Sequence, residues 1–211
     1  MKRFVQVSLI LVAAMAPMLS FAKKNKGTRA AAEPANVLIV GLNDNVKSNY
    51  YYDDLIAKEM GLDADSVDYS YNKIIAANIS TVAPKSLCHF VSGSTPEIDA
   101  VAGKISVDGE GDECSTSVAQ VGDAEWKEIF EKNNADYVLV LNQHYLKRQV
   151  EPMRTVFYII SYSLFDKDKK EVHNGNQYFS LIDLVSLDKM KDLSRKSSSR
   201  IVAGIEKSLD L

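Results

Sequence analysis

Three β-rich runs in the last third of the chain, 137–146, 155–165 and 171–181, are separated only by short polar segments, and that spacing leaves few folds open. A short connection cannot carry the chain across a sheet, so strands joined this way lie side by side and antiparallel. The middle run alternates strictly. Val156, Tyr158, Ile160, Tyr162 and Leu164 share one face, and Thr155, Phe157, Ile159, Ser161 and Ser163 share the other, whose far end reads as wetter. Lys147 to Arg154, with three basic residues and Pro152, is expected as the loop between the first two strands. The charged turn Asp166-Lys167-Asp168-Lys169-Lys170 precedes the third. A long closing helix from Leu187 to Leu209 then sets Leu187, Met190, Leu193, Ile201, Ile205 and Leu209 on one buried side.

Upstream, the periods alternate between strand and helix. Val37-Leu38-Ile39-Val40, closed by Gly41, is a continuous apolar run of the kind buried on both faces of a sheet. Asn43-Asp44-Asn45 forms a turn and a candidate helix cap. Tyr52, Leu55, Ile56 and Met60 recur at helical spacing before a stop at Gly61. A second helix from Ser66 carries Val67, Tyr71, Ile74, Ile75 and Ile79 on one face, and Ser86 to Val91 reads as the next strand. Thr95-Pro96-Glu97 is a helix start, and Ile105 to Val118, around Asp108–Asp112, reads as an irregular hairpin or loop. Asp123 is expected to cap a short helix with Trp126, Ile129 and Phe130 inward. The fold class is therefore α/β (mixed α+β): a single mixed sheet ending in an antiparallel three-strand meander, helices packed on it, and a long C-terminal helix. One domain spans 36–211, preceded by a flexible linker at 23–35.

The N-terminal segment bears on the compartment. Met1-Lys2-Arg3 is a positive start, Val7 to Ala16 an apolar stretch broken only by Ser8, and Ser20-Phe21-Ala22 a small-x-small cleavage pattern. Residues 1–22 read as a secretory signal peptide cleaved after Ala22, giving a periplasmic or secreted mature protein. As an uncleaved anchor the stretch is poor, because Gln6, Ser8, Pro17 and Ser20 interrupt it. The only cysteines are Cys88 and Cys114, neither placed for lipid attachment. In an oxidising compartment such a pair is expected to form a disulfide. Removing Lys2 and Arg3 takes the formal net charge from −3 to −5, which argues against a nucleic-acid partner.

The order of elements resembles a family of envelope proteins: the N-terminal domain of the TolB type, the lipoprotein activators of penicillin-binding proteins, and the curli-export lipoprotein. The likeness rests on the first strand Asn36-Val37-Leu38-Ile39-Val40, on Asn134-Ala135-Asp136-Tyr137-Val138-Leu139 opening the meander, and on a strand ending in aspartate, Ser163-Leu164-Phe165-Asp166. It spans 36–208 and departs in two places. The lipidated cysteine is missing, and Lys167-Asp168-Lys169-Lys170 replaces a turn that usually holds a glycine. The resemblance implies a non-catalytic docking domain of the cell envelope.

The residues themselves assign no reaction. His89, His144 and His173 fall in three different strands, without the short spacing of paired zinc ligands. Asp108, Glu110 and Asp112 alternate like calcium ligands, but Glu113 and Ala119 stand where an EF-hand loop needs glycine and glutamate. Ser92-Gly93-Ser94-Thr95, between strand and helix, does not match a nucleophile elbow. No catalytic residue, metal or cofactor is expected. Tyr50-Tyr51-Tyr52 cannot all face inward on a helix; either they rim the core, which is the commoner case, or they join Lys147, Arg148 and Arg154 as a partner surface. The expectation is an exported, non-enzymatic interaction module with an unidentified envelope or extracellular protein partner. The alternative is a small-molecule-binding or hydrolytic protein with a loop-assembled site.

Overall fold

The apolar run Val37–Val40 is the centre of β1 (Ala35–Gly41), buried on both faces as its continuous hydrophobicity predicts. The computed structural model describes residues 34–83 and 86–211; the signal peptide expected at 1–22 and the linker up to residue 33 lie outside the described residues. β1 runs parallel to β3 (Cys88–Ser92) on one side and to β6 (Tyr137–Gln149) on the other. β6, β7 (Thr155–Phe165) and β8 (Glu171–Leu181) form the antiparallel meander. The strand order is β3-β1-β6-β7-β8, one mixed sheet. After the turn at Asn43–Asn45 a short strand the sequence pattern did not suggest, β2 (Val46–Ser48), resumes alongside β6.

Alternation along β1 divides the core into two layers. Val37 and Ile39 face α1 (Asp53–Met60), α2 (Val67–Val82), α5 (Leu187–Leu193) and α6 (Arg195–Ser208). Leu38 and Val40 face α3 (Pro96–Ala102) and α4 (Asp123–Lys132). The helix ends follow from local chemistry. Gly61 closes α1 at φ 73°, a left-handed conformation that glycine adopts without a Cβ penalty. The Thr95 hydroxyl accepts the Ile98 N–H at 3.4 Å and Pro96 fills the first helical position of α3. In α4 the cap is Gly122 instead of Asp123, whose carboxylate turns outward to Lys169. The irregular 105–118 segment is a small hairpin, β4 (Ser106–Asp108) with β5 (Ser115–Ser117), enclosing one 3₁₀ turn at Gly111–Glu113.

Three expectations are corrected by contacts distant in sequence. The closing helix is broken at Ser194, where Asn78 of α2 donates both to the Lys191 carbonyl (2.7 Å) and to the Ser194 hydroxyl (2.9 Å). An inserted polar side chain of this kind satisfies the end of α5 and lets α6 start on a new axis. The far end of β7 is dry: Ser161 lies under the 3₁₀ turn and donates to the Gly111 carbonyl at 2.5 Å, and Ser163, also buried, accepts from Asn142 of β6 at 3.0 Å. β6 extends to Gln149, since Lys147, Arg148 and Gln149 pair with Phe157, Val156 and Thr155; only 150–154 remain as the loop. A bulge at Asn142 shifts its register, so the side facing α2 passes from the odd residues Leu139 and Leu141 to the even residues His144 and Leu146.

Candidate functional site

With one exception, the sequence-predicted partner residues gather at the end of the sheet where β6 turns into β7. Tyr50-Tyr51-Tyr52 precede α1 instead of lying on it; the Ser48 hydroxyl accepts the N–H groups of Tyr50 and Tyr51 at 3.1 and 2.9 Å. Asn49 binds β6 twice, accepting from the Arg148 N–H at 2.7 Å and donating to its carbonyl at 3.1 Å. That places the Arg148 guanidinium 3.8 Å from the centroid of the Tyr50 ring, a cation–π contact, with Tyr51 edge-on to Tyr50. Burial raises the Tyr51 phenol pKa, while Arg148 and Arg154 pull it the other way. Arg154 pairs with Asp183 just beyond β8.

Lys147 is the exception. By strand alternation it points to the opposite face, lining a shallow groove with Gln149, Phe157, Ile159, Asn176 and Tyr178. The sequence reading also missed the apolar residues that complete this end. Val150 and Met153 in the loop are 61% and 71% exposed, and Ile182, one step past the Val156–Leu181 pair, is 68% exposed. The available signal was the presence of large apolar side chains in turn positions, outside the alternation of the strands.

Behind this end lies a buried polar network that no local pattern announced. Asp68 accepts the N–H groups of Asn45 and Val46 at 2.9 and 2.7 Å. The Asn45 amide donates to the Leu141 carbonyl (2.9 Å) and to Asn72 (3.0 Å), and Asn72 donates to the Leu42 carbonyl (2.8 Å). The Asn72 carbonyl oxygen is thus the acceptor for His144 Nε2 at 2.9 Å, which fixes the proton on that nitrogen. His144 is 1% exposed, and burial pushes its pKa down to about 3. Its Nδ1 has no partner among the described residues. The network clamps the 42–46 turn between α2 and β6, and its one carboxylate, Asp68, is taken up by the two backbone N–H groups of that turn.

The remaining candidates stay apart. His89, His144 and His173 lie on β3, β6 and β8, and no group of three metal-ligating side chains converges among the described residues. Within the acidic loop, Glu110 is engaged by the Tyr145 hydroxyl at 3.0 Å. The expected Cys88–Cys114 disulfide is absent; both cysteines are free. Cys88 points into the layer under α2, whereas Cys114 follows the 3₁₀ turn that hydrogen-bonds to Gln143 and Ser161 on the other face, so the sheet stands between them. Burial pushes the Cys88 thiol up to about 11. No helix of the described residues is long and apolar enough to cross a membrane.

No family model matches the chain, and no curated protein matches it. Among solved structures it is similar to the PelC dodecamer from Paraburkholderia phytofirmans (10% identity, TM-score 0.40, covering 82% of this chain and 89% of that one). It is likewise similar to a hypothetical protein from Chlamydia trachomatis (9% identity, TM-score 0.46, 83% and 98%). A further likeness is to the LpoB C-terminal domain from Salmonella enterica (11% identity, TM-score 0.32, 72% and 86%). Likenesses this distant assign no activity, and the family resemblance of the sequence stands only as a vague one.

Proposed function

We propose that this chain is an exported, non-enzymatic docking module of the bacterial cell envelope, and that it meets a protein partner through the end of its meander where β6 turns into β7. The supporting observation is the Arg148–Tyr50 stack at this end of the sheet, with large exposed apolar side chains in the adjoining segments: Val150 and Met153 in the β6–β7 loop and Ile182 just past β8. Large apolar side chains exposed in neighbouring turns are costly to leave in water, and tyrosine, methionine and arginine are the types enriched where proteins meet. Arg148 has no ion-pair partner among the described residues, so an apolar partner segment with an acidic flank complements the patch. The leader pattern at Met1–Ala22 supports export.

Photo-crosslinking in the native host tests the reading. A crosslinker at Met153 or Ile182 should give one discrete protein adduct in the envelope fraction, lost in a Tyr50→Ala/Arg148→Ala variant, while a crosslinker at Lys127 on α4 gives none. No adduct at 153 and 182, or the same adduct from Lys127, overturns it.

A further inference from the structure

β1 and β3 are parallel neighbours whose connections leave the sheet on opposite faces: the chain after β1 goes to α1 and α2, and the chain after β3 to α3 and α4. Such divergence opens a crevice outside the carboxyl ends of the two strands, the place where open α/β sheets characteristically hold ligands. Here the crevice encloses about 280 Å³, bounded by Gly41 at the end of β1 and Asn43 beyond it, Lys73 on α2, Ser92 at the end of β3 and Ser94 beyond it, and Asp99 on α3. Ligand pockets commonly run from roughly 300 to 1,000 Å³. This one therefore admits only a molecule of few heavy atoms.

Its floor is closely packed and rigid. A Cβ on Gly41 would lie 2.6 Å from Asn72 Cγ, and Asn72 is held in place by Leu42, Asn45 and His144. Its walls carry opposite charges that do not neutralise each other. The Lys73 ammonium lies 5.5 Å from the Tyr69 ring centroid and meets no carboxylate within ion-pair distance among the described residues. Both Asp99 oxygens accept from the Ser94 hydroxyl at 3.1 Å, which orients the carboxylate without cancelling its charge, and no cation pairs with it there. A simple anion entering the crevice meets Asp99, and a simple cation meets Lys73. Only a species with both charges is favoured at both walls.

We infer that this crevice binds a small zwitterion, a free amino acid in chemical class, with its carboxylate toward Lys73 and its ammonium toward Asp99. The site is separate from the docking surface and does not depend on it. An amide-resolved NMR titration with L-alanine, acetate and ethylammonium tests the inference. L-alanine should shift the amides of Gly41, Ser92, Gly93 and Ser94 saturably, with either half-ligand at least about tenfold weaker. Lys73→Ala and Asp99→Asn, both at exposed positions, should each weaken L-alanine binding roughly fivefold with the spectrum otherwise native. Absence of these shifts, equal binding of acetate or ethylammonium, or indifference to both substitutions overturns it.

Discussion

Acidifying the protein should lower its global stability through His144 while the His144–Asn72 bond stays intact in the folded state. In the unfolded chain a histidine titrates near 6.5, whereas burial holds His144 neutral down to about 3. Between those values the unfolded chain binds the extra proton, so stability is full above about pH 6.5 and falls as the pH drops toward 3. From about pH 7.5 to about pH 5 the difference reaches roughly 1.5 pH units, or about 2 kcal/mol. Burial also lowers the His173 pKa and acts with the same sign, so the informative comparison changes His144 alone. The carboxylates of Glu97, Asp123 and Glu125, held low chiefly by hydrogen bonds from Lys132, Lys169 and Lys104, keep their contribution above the ordinary carboxylate range and lose it only below the window compared. Urea unfolding of wild type and His144→Gln at the two pH values is the assay. Glutamine retains an N–H for the Asn72 oxygen but has no proton to gain, so about 2 kcal/mol of the pH dependence should vanish. An imidazole resonance of His144 that stays flat over the same range is the matching NMR observation. Equal pH dependence in both proteins refutes the argument.

Both thiols should be countable without reductant once the protein is unfolded; in the native state Cys88, buried and with its thiol pKa raised, should react far more slowly than Cys114, and a count below two thiols would contradict the free pair. Gly41→Ala should cost about 2–4 kcal/mol by urea unfolding, because the new methyl collides with Asn72, which its hydrogen bonds prevent from moving aside. Trp126→Ala should cost about 3–5 kcal/mol, since the indole is 1% exposed in the α4 layer and its N–H donates to the Asp166 carbonyl at 3.1 Å. Thr95→Ala should cost about 1 kcal/mol by removing the α3 cap, and no change in unfolding midpoint would show that the 3.4 Å bond contributes nothing.

Sequence by itself determined whatever depends on neighbours within a turn or a strand. The ends of β7 and β8 coincide with the β-rich runs because alternation and turn chemistry are local, and Gly61 and Thr95-Pro96 mark helix ends for the same reason. The mixed sheet and its antiparallel meander followed from the shortness of the connections. What only the tertiary structure decided depends on contacts tens of residues apart. The bulge at Asn142 reverses the alternation of β6, which sends Arg148 to Tyr50 and Lys147 to the opposite face, dividing residues adjacent in sequence. Asn78 breaks the closing helix from a distance of 116 residues at Ser194, and the 3₁₀ turn dries Ser161 from a distance of 50. The cysteines share a chain but are set on opposite faces of the sheet, so compartment chemistry alone could not pair them. The zwitterion crevice has the same origin: Lys73 and Asp99 belong to connections that leave neighbouring strands on opposite faces, and only closure of the sheet brings the two charges to one opening.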